Sequence, residues 1–155
     1  MTAFHAMPGY LIRRLNQIST SIFQEEMAAV GHDMTPVQFA ALASLRDNPG
    51  IDQATLAGLI AYDRVTIGGV VDRLEAKGLV TRTVNARDRR SRQVSLTEDG
   101  RALLMSIIPQ VERLQADILA GLSQAERDAF IALATKAAEA GNIRSRAPLR
   151  PRLAP

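Results

Sequence analysis

Arg87, Arg89 and Arg90 stand within four residues of one another, with Asp88 among them. Guanidinium groups held this close favour a strong anion, and a narrow DNA minor groove concentrates such negative potential. Phosphates would repel Asp88, so its useful role is to pair with Arg90 and orient it. A second group lies upstream, where Arg64, Val65, Thr66, Gly69 and Arg73 fall within one short stretch. Val65 can touch a thymine methyl, Thr66 can reach a base or a phosphate, and Arg64, Arg73 and Arg82 can lie near phosphates. A third group is Arg13 and Arg14 beside Tyr10. A guanidinium next to apolar walls suits a planar carboxylate, because it binds both oxygens at once. Phe23, His32, Met34 and Phe39 are the candidate walls, and ion pairs with Glu25 or Glu26 are the competing use of these two arginines.

The elements that must position these groups are legible from periodicity and caps. Residues 7–30 predict a helix with Leu11, Leu15, Ile18 and Ile22 on one stripe, ended by Gly31. Thr35-Pro36-Val37-Gln38 combines a cap, a proline at the first helical position and a capping box, so a helix starts there and runs to Asn48-Pro49-Gly50. Asp52 caps a short helix through 60. The next helix, 63–77, has Ile67, Val70, Val71 and Leu74 as its core stripe and Gly78 as its C-terminal glycine. On that helix Val65, Gly69, Asp72 and Ala76 point directly away from the core, with Thr66 and Arg73 to one side. Gly68-Gly69 is costly in a helix interior, about 1 kcal/mol each relative to alanine. Either DNA or a packed neighbouring helix must approach closely there.

Residues 79–84 and 93–96 read as two short strands around the polar loop 85–91, a hairpin tipped by Arg87-Asp88-Arg89-Arg90. Thr97 caps a long helix whose stripe runs from Leu103 to Leu119, with Pro109 expected to kink it. Ser123-Gln-Ala-Glu126 opens a last helix to about 140. Residues 141–155 carry prolines and arginines and read as an extended tail. The fold class is therefore mainly α with a small β-hairpin wing. Helix, helix, turn, helix and basic-tipped hairpin make a winged helix-turn-helix, whose second helix enters the major groove.

Charge along the 155 residues agrees with this assignment. The net charge is only +3. Residues 61–95 nevertheless hold eight basic against four acidic residues, and 141–155 hold four arginines and no acid, while the rest is acidic overall. Segregation of this kind points to a polyanion. Of the 19 basic residues only Lys77 and Lys136 are lysine. Cys is absent, which excludes disulfides, thiolate metal sites and cysteine redox sensing. His5 and His32 are far apart in sequence, so no metal site and no cofactor is expected. No nucleophile elbow, phosphate-cradling glycine loop or HExxH motif supports an enzyme. The chain contains no run of apolar residues of membrane-spanning length and no leader pattern, and reads as cytoplasmic.

The run Leu56-Ala57…Thr66-Ile67-Gly68-Gly69-Val70-Val71-Asp72-Arg73-Leu74-Glu75-Ala76-Lys77-Gly78-Leu79-Val80-Thr81-Arg82 resembles the MarR family of transcriptional regulators. The resemblance continues through Asp88-Arg89-Arg90-Ser91 and Val94-Ser95-Leu96-Thr97-Glu98-Asp99-Gly100, and covers about residues 7–140. It implies a homodimer built from N- and C-terminal helices, repression of nearby genes and relief by a small ligand. It also implies that Arg90, partnered by Asp88, enters the minor groove. The organisation expected is an N-terminal dimerisation helix in 1–34, a DNA-binding region in 35–100, C-terminal dimerisation helices in 101–140 and a basic tail in 141–155. The resemblance extends to members that control aromatic-acid catabolism, which implies a benzoate, hydroxycinnamate or nicotinate-like effector bound near Tyr10, Arg13, Arg14, Phe23, His32 and Phe39. A phenolic, drug-responsive regulator of efflux genes and a ligand-independent DNA binder are the alternatives.

Overall fold

Local chemistry sets each helix boundary in the computed structural model, which describes residues 3–84 and 92–151. Helix α1 spans Pro8–Ala29, and Gly31 at φ +81° lets His32 N–H bond back to the Met27 carbonyl at 2.8 Å. Helix α2, Pro36–Asp47, opens on the expected reciprocal box between Thr35 and Gln38. Asp52 accepts from Thr55 N–H at 2.9 Å and starts α3, Gln53–Leu59. Helix α4, Arg64–Ala76, is capped by Asp63 and closed by Gly78 at φ +72°. Strands β2 (Val80–Val84) and β3 (Arg92–Leu96) pair antiparallel, with Arg82 opposite Val94. Helix α5 is Glu98–Ile118 and α6 is Gln124–Gly141, the latter opened by the Ser123–Glu126 box.

Three details depart from the sequence reading. The sheet has three strands rather than two: β1, Ile51–Asp52, pairs with the far edge of β3. Two residues are too few to display a period of two, and one of them is also the α3 cap. Helix α5 stops at Ile118, one residue short of the predicted end of its stripe at Leu119, and carries Pro109 within it. Residues 142–150 are not a free tail. Asn142–Arg144 form a 3-10 turn, and the chain then returns to α3.

The core sits where α2, α3, α4 and the sheet meet α5. Leu42, Leu45, Leu56, Ile67, Val70, Val71, Leu74, Val94, Leu104, Ile107 and Leu114 are all fully buried. The core stripe read on α4 is thus the buried face, and the opposite face is left to solvent. Gly100, in the first turn of α5, is buried against the Leu79 carbonyl, which also accepts from Thr97 N–H at 3.1 Å. That contact fixes α5 to the base of the β2–β3 wing. Against this core, α6 buries no residue, and Phe130, Ile131 and Leu133 stand exposed on it.

Candidate nucleic-acid interface

Helices α3 and α4 turn through 109° at their junction, the crossing expected of a helix-turn-helix. The junction is a Schellman turn. Tyr62 N–H bonds to the Ala57 carbonyl at 2.9 Å and Ala61 N–H to the Gly58 carbonyl at 3.4 Å. The residue that takes the left-handed conformation is Ala61, at φ +54°, where the turns after α1 and α4 use glycine.

Asp63 then organises the first turn of α4. Its carboxylate accepts from Thr66 N–H at 2.9 Å and from the Thr66 hydroxyl at 2.8 Å. These bonds from Thr66, backbone first, hold the Asp63 carboxyl below the usual carboxylate range. The Thr66 proton therefore faces the protein, and only the lone pairs of its hydroxyl face outward.

The outward face of α4 is as the wheel predicts. Val65 is 88% exposed, an extreme value for a β-branched apolar side chain. Arg64, Thr66, Asp72, Arg73 and Ala76 are exposed with it. A Cβ on Gly69 would meet nothing within 4 Å, and one on Gly68 would meet only the Gln53 amide at 3.6 Å. Neither glycine is therefore required by packing inside the protomer. Arg64 and Arg73 make no ion pair among the described residues.

Arg82 is placed differently. Its guanidinium reaches across from β2 to α4, 2.7 Å from Asp72 and 2.5 Å from Glu75. The hydrogen bond from Arg82 pulls the Glu75 carboxyl down, and Glu75 in turn holds Arg82 protonated. With its side chain 18% exposed, Arg82 braces the wing strand against the recognition helix. Lys77 ties the other end of α4 to the loop after α1, bonding to the Asp33 carboxylate at 3.1 Å and to its carbonyl. Arg87, Asp88, Arg89 and Arg90 lie outside the described residues.

The proposed effector residues fall in three places within one chain. Tyr10 packs against Phe4, ring centres 4.7 Å apart and planes tilted by 55°, and the Arg13 guanidinium lies 5.2 Å from the Tyr10 ring centre while donating to Gln17 at 2.9 Å. Phe23 and Phe39 meet at 6.1 Å between α1 and α2, Phe23 buried and Phe39 half-buried. His32 lines a separate open cleft with Asp33 and Met34. Arg14 is exposed on α1 and makes no ion pair or hydrogen bond among the described residues. Sequence reasoning missed a further feature, the return of residues 142–150 to α3, because nothing local marks it.

Among the described residues no cluster of three or more His, Cys, Asp or Glu could hold a metal ion. Among them, no single helix is long and apolar enough to cross a membrane.

Residues 32–91 match a family profile described as the MarR family. Over 128 residues, 83% of this chain and 80% of the other, the sequence is 38% identical to the HTH-type transcriptional repressor NicR of Pseudomonas putida. The fold is similar to that of BpsR from Bordetella bronchiseptica, whose DNA binding is regulated by 6-hydroxynicotinic acid. That similarity has a TM-score of 0.81 at 33% identity and covers 89% of this chain and 97% of that one. The transcriptional repressor CouR, bound to a 23-mer DNA duplex, is similar with a TM-score of 0.79 at 32% identity, over 89% of this chain and 96% of that one. NicR and CouR are both transcriptional repressors.

Proposed function

Because the chain belongs to the MarR family of transcriptional regulators, we propose that it is a homodimeric repressor, bound to a pseudo-palindromic operator and released by a small aromatic acid. The observation that carries the DNA half of this reading is the outward face of α4, where the 88% exposed Val65 and the open Gly69 lie beside Arg64 and Arg73, which make no ion pair among the described residues. An apolar, unobstructed surface flanked by guanidinium groups suits the floor and walls of a major groove. Arg90, oriented by Asp88, supplies the minor-groove contact of the wing with Arg87 and Arg89.

Dimerisation is supported by apolar faces that one chain leaves uncovered. Leu11, Ile12 and Ile18 on α1 and Phe130, Ile131 and Leu133 on α6 are exposed together. A second copy covers them, so residues 1–34 and 101–140 form the dimer and 35–100 the DNA-binding region. Two-fold symmetry then sets two recognition helices about one DNA turn apart and makes the operator a pseudo-palindrome.

The effector half rests on Arg14. Among the described residues it makes no ion pair or hydrogen bond, whereas the other arginine of α1, Arg13, is engaged by Gln17 and Tyr10. A carboxylate binds Arg14, with the aromatic ring against apolar neighbours; within one chain the Phe23–Phe39 pair and His32 lie in separate places. The regulation of BpsR by 6-hydroxynicotinic acid supports this ligand class. The test is release of operator DNA by benzoate, hydroxycinnamate and nicotinate-like acids, in wild type and in Arg14→Ala. Release of the wild type and retained, unresponsive binding by the variant are expected. Release that survives Arg14→Ala would overturn the carboxylate clamp and favour a looser, phenol-binding pocket.

A further inference from the structure

Residues 142–150 have the composition of a mobile tail, yet they are held at three points. The Asn142 side-chain amide donates to the Leu149 carbonyl at 3.0 Å and accepts from Leu149 N–H at 2.7 Å, closing residues 142–149 into a loop. Arg150 N–H donates to the Gly58 carbonyl at 2.8 Å. The Arg146 guanidinium reaches the Asp63 carboxylate at 3.3 Å.

Gly58 makes the second attachment possible. A Cβ there would stand 3.1 Å from the Cβ of Arg150, tighter than ordinary van der Waals contact. A glycine within a seven-residue helix weakens that helix. Close approach of the returning chain is what its missing side chain permits.

The consequence is a change in the charge beside the helix-turn-helix. Arg146 and Arg150 line one cleft with Arg64, Tyr62 and Asp63. Among the described residues Asp63 is the only carboxylate there, and it is already bonded twice by Thr66. Arg146 keeps 90% of its side chain exposed, so its long contact with Asp63 leaves most donors of the guanidinium facing solvent. An exposed ion pair of this kind adds little to stability. The cleft therefore carries an excess of positive charge beside the first turn of α4.

We propose that residues 142–150 form a basic strap that adds Arg146 and Arg150 to the DNA-contacting surface, gripping the sugar–phosphate backbone beside the bases that α4 reads. The contact is sequence-independent. It rests on the reading of this chain as a DNA-binding protein.

The probe is a duplex enriched by the full-length wild type from a randomised pool, with a scrambled duplex of the same composition beside it. Binding of both is measured against salt concentration for wild type and for Arg146→Gln/Arg150→Gln. The double variant is expected to lose affinity for both duplexes by the same factor, about tenfold or more, because removing phosphate-binding arginines weakens binding uniformly across sequences. Its slope of log affinity against log salt should become shallower by about one for each phosphate left without its arginine. Asn142→Ala, which opens the loop and leaves every arginine in place, should also lose affinity for both. A double variant with the wild-type salt slope overturns the strap while leaving the DNA-binding reading standing. Full affinity in Asn142→Ala overturns the claim that the fold of the strap positions the arginines. Failure of the wild type to enrich any duplex overturns both readings together.

Discussion

The guanidinium of Arg82, on the wing strand, lies 2.7 Å from the carboxylate of Asp72 on the exposed face of the recognition helix. Asp72 would otherwise be an uncompensated negative charge on the surface offered to DNA. Removing the arginine thus exposes a repulsive charge. Arg82→Ala should weaken operator binding about fivefold, the effect of one unit charge at contact distance in water. Asp72→Asn in the same chain should restore most of that affinity. An anisotropy titration of the two variants checks this, and a double variant no better than Arg82→Ala would return Arg82 to the phosphate-contacting set.

Gly100 meets the Leu79 carbonyl so closely that a Cβ would stand 1.9 Å from its oxygen. The obstacle is backbone held by the Thr97 N–H, so no rotamer change relieves it. Gly100→Ala should therefore lower stability by about 2–3 kcal/mol, in the range of overpacked cores. Urea unfolding followed by circular dichroism measures it, and a decrease below about 0.5 kcal/mol would show that α5 shifts freely against the wing.

Ala61 is the opposite case, a residue with a side chain where the backbone favours none. The left-handed conformation costs an L-residue roughly 1–2 kcal/mol, and the greater freedom of unfolded glycine offsets roughly 0.5–1 kcal/mol of that. Ala61→Gly should raise the melting temperature by about 1–3 °C. No change or a fall would show that the α3–α4 turn carries no strain at this position.

Stability should also fall in acid in a defined way. Hydrogen bonds from Arg82 hold the Glu75 carboxyl low, and bonds from Thr66 do the same for Asp63. Burial pushes Asp52 up, but its bonds from Thr55 and the neighbouring N–H groups outweigh this and leave it low. A carboxylate that is more acidic when folded contributes its stability fully above its unfolded value, near 4. That contribution disappears as pH falls through the lower, folded value. The unfolding midpoint should thus be level from about pH 5 to 8 and drop below about pH 4. Asp63→Asn, which keeps a capping side chain, should make the acid limb shallower.

What the sequence showed and what it hid divide by range. The Thr35–Gln38 and Ser123–Glu126 boxes, Gly31, Gly78 and the Ile67–Val70–Val71–Leu74 stripe are local signals, and each marks its element where it stands. The outward position of Val65 and Gly69 followed from that stripe alone. Ala61 carried no glycine to mark its conformation. Strand β1 is two residues long, and its partner β3 lies beyond two helices. The Asn142–Leu149 clasp and the Arg150–Gly58 bond join residues with no shared pattern, so composition alone read that segment as extended. Charge likewise grouped Arg82 with Arg64 and Arg73, although its partners Asp72 and Glu75 lie on the facing helix.

The central claim is that the face of α4 around Gly69 meets DNA, and Gly69 separates that role from folding. Its missing side chain faces open space, so Gly69→Leu leaves the packing intact, and a good helix former in place of glycine raises helix stability by about 0.5–1 kcal/mol. The decisive measurement is the affinity of wild type and Gly69→Leu for a duplex enriched from a randomised pool, taken together with their unfolding curves. The predicted result is a variant at least as stable as wild type that binds the duplex more than about tenfold more weakly. A stable variant that binds the duplex as tightly as wild type would contradict the claim.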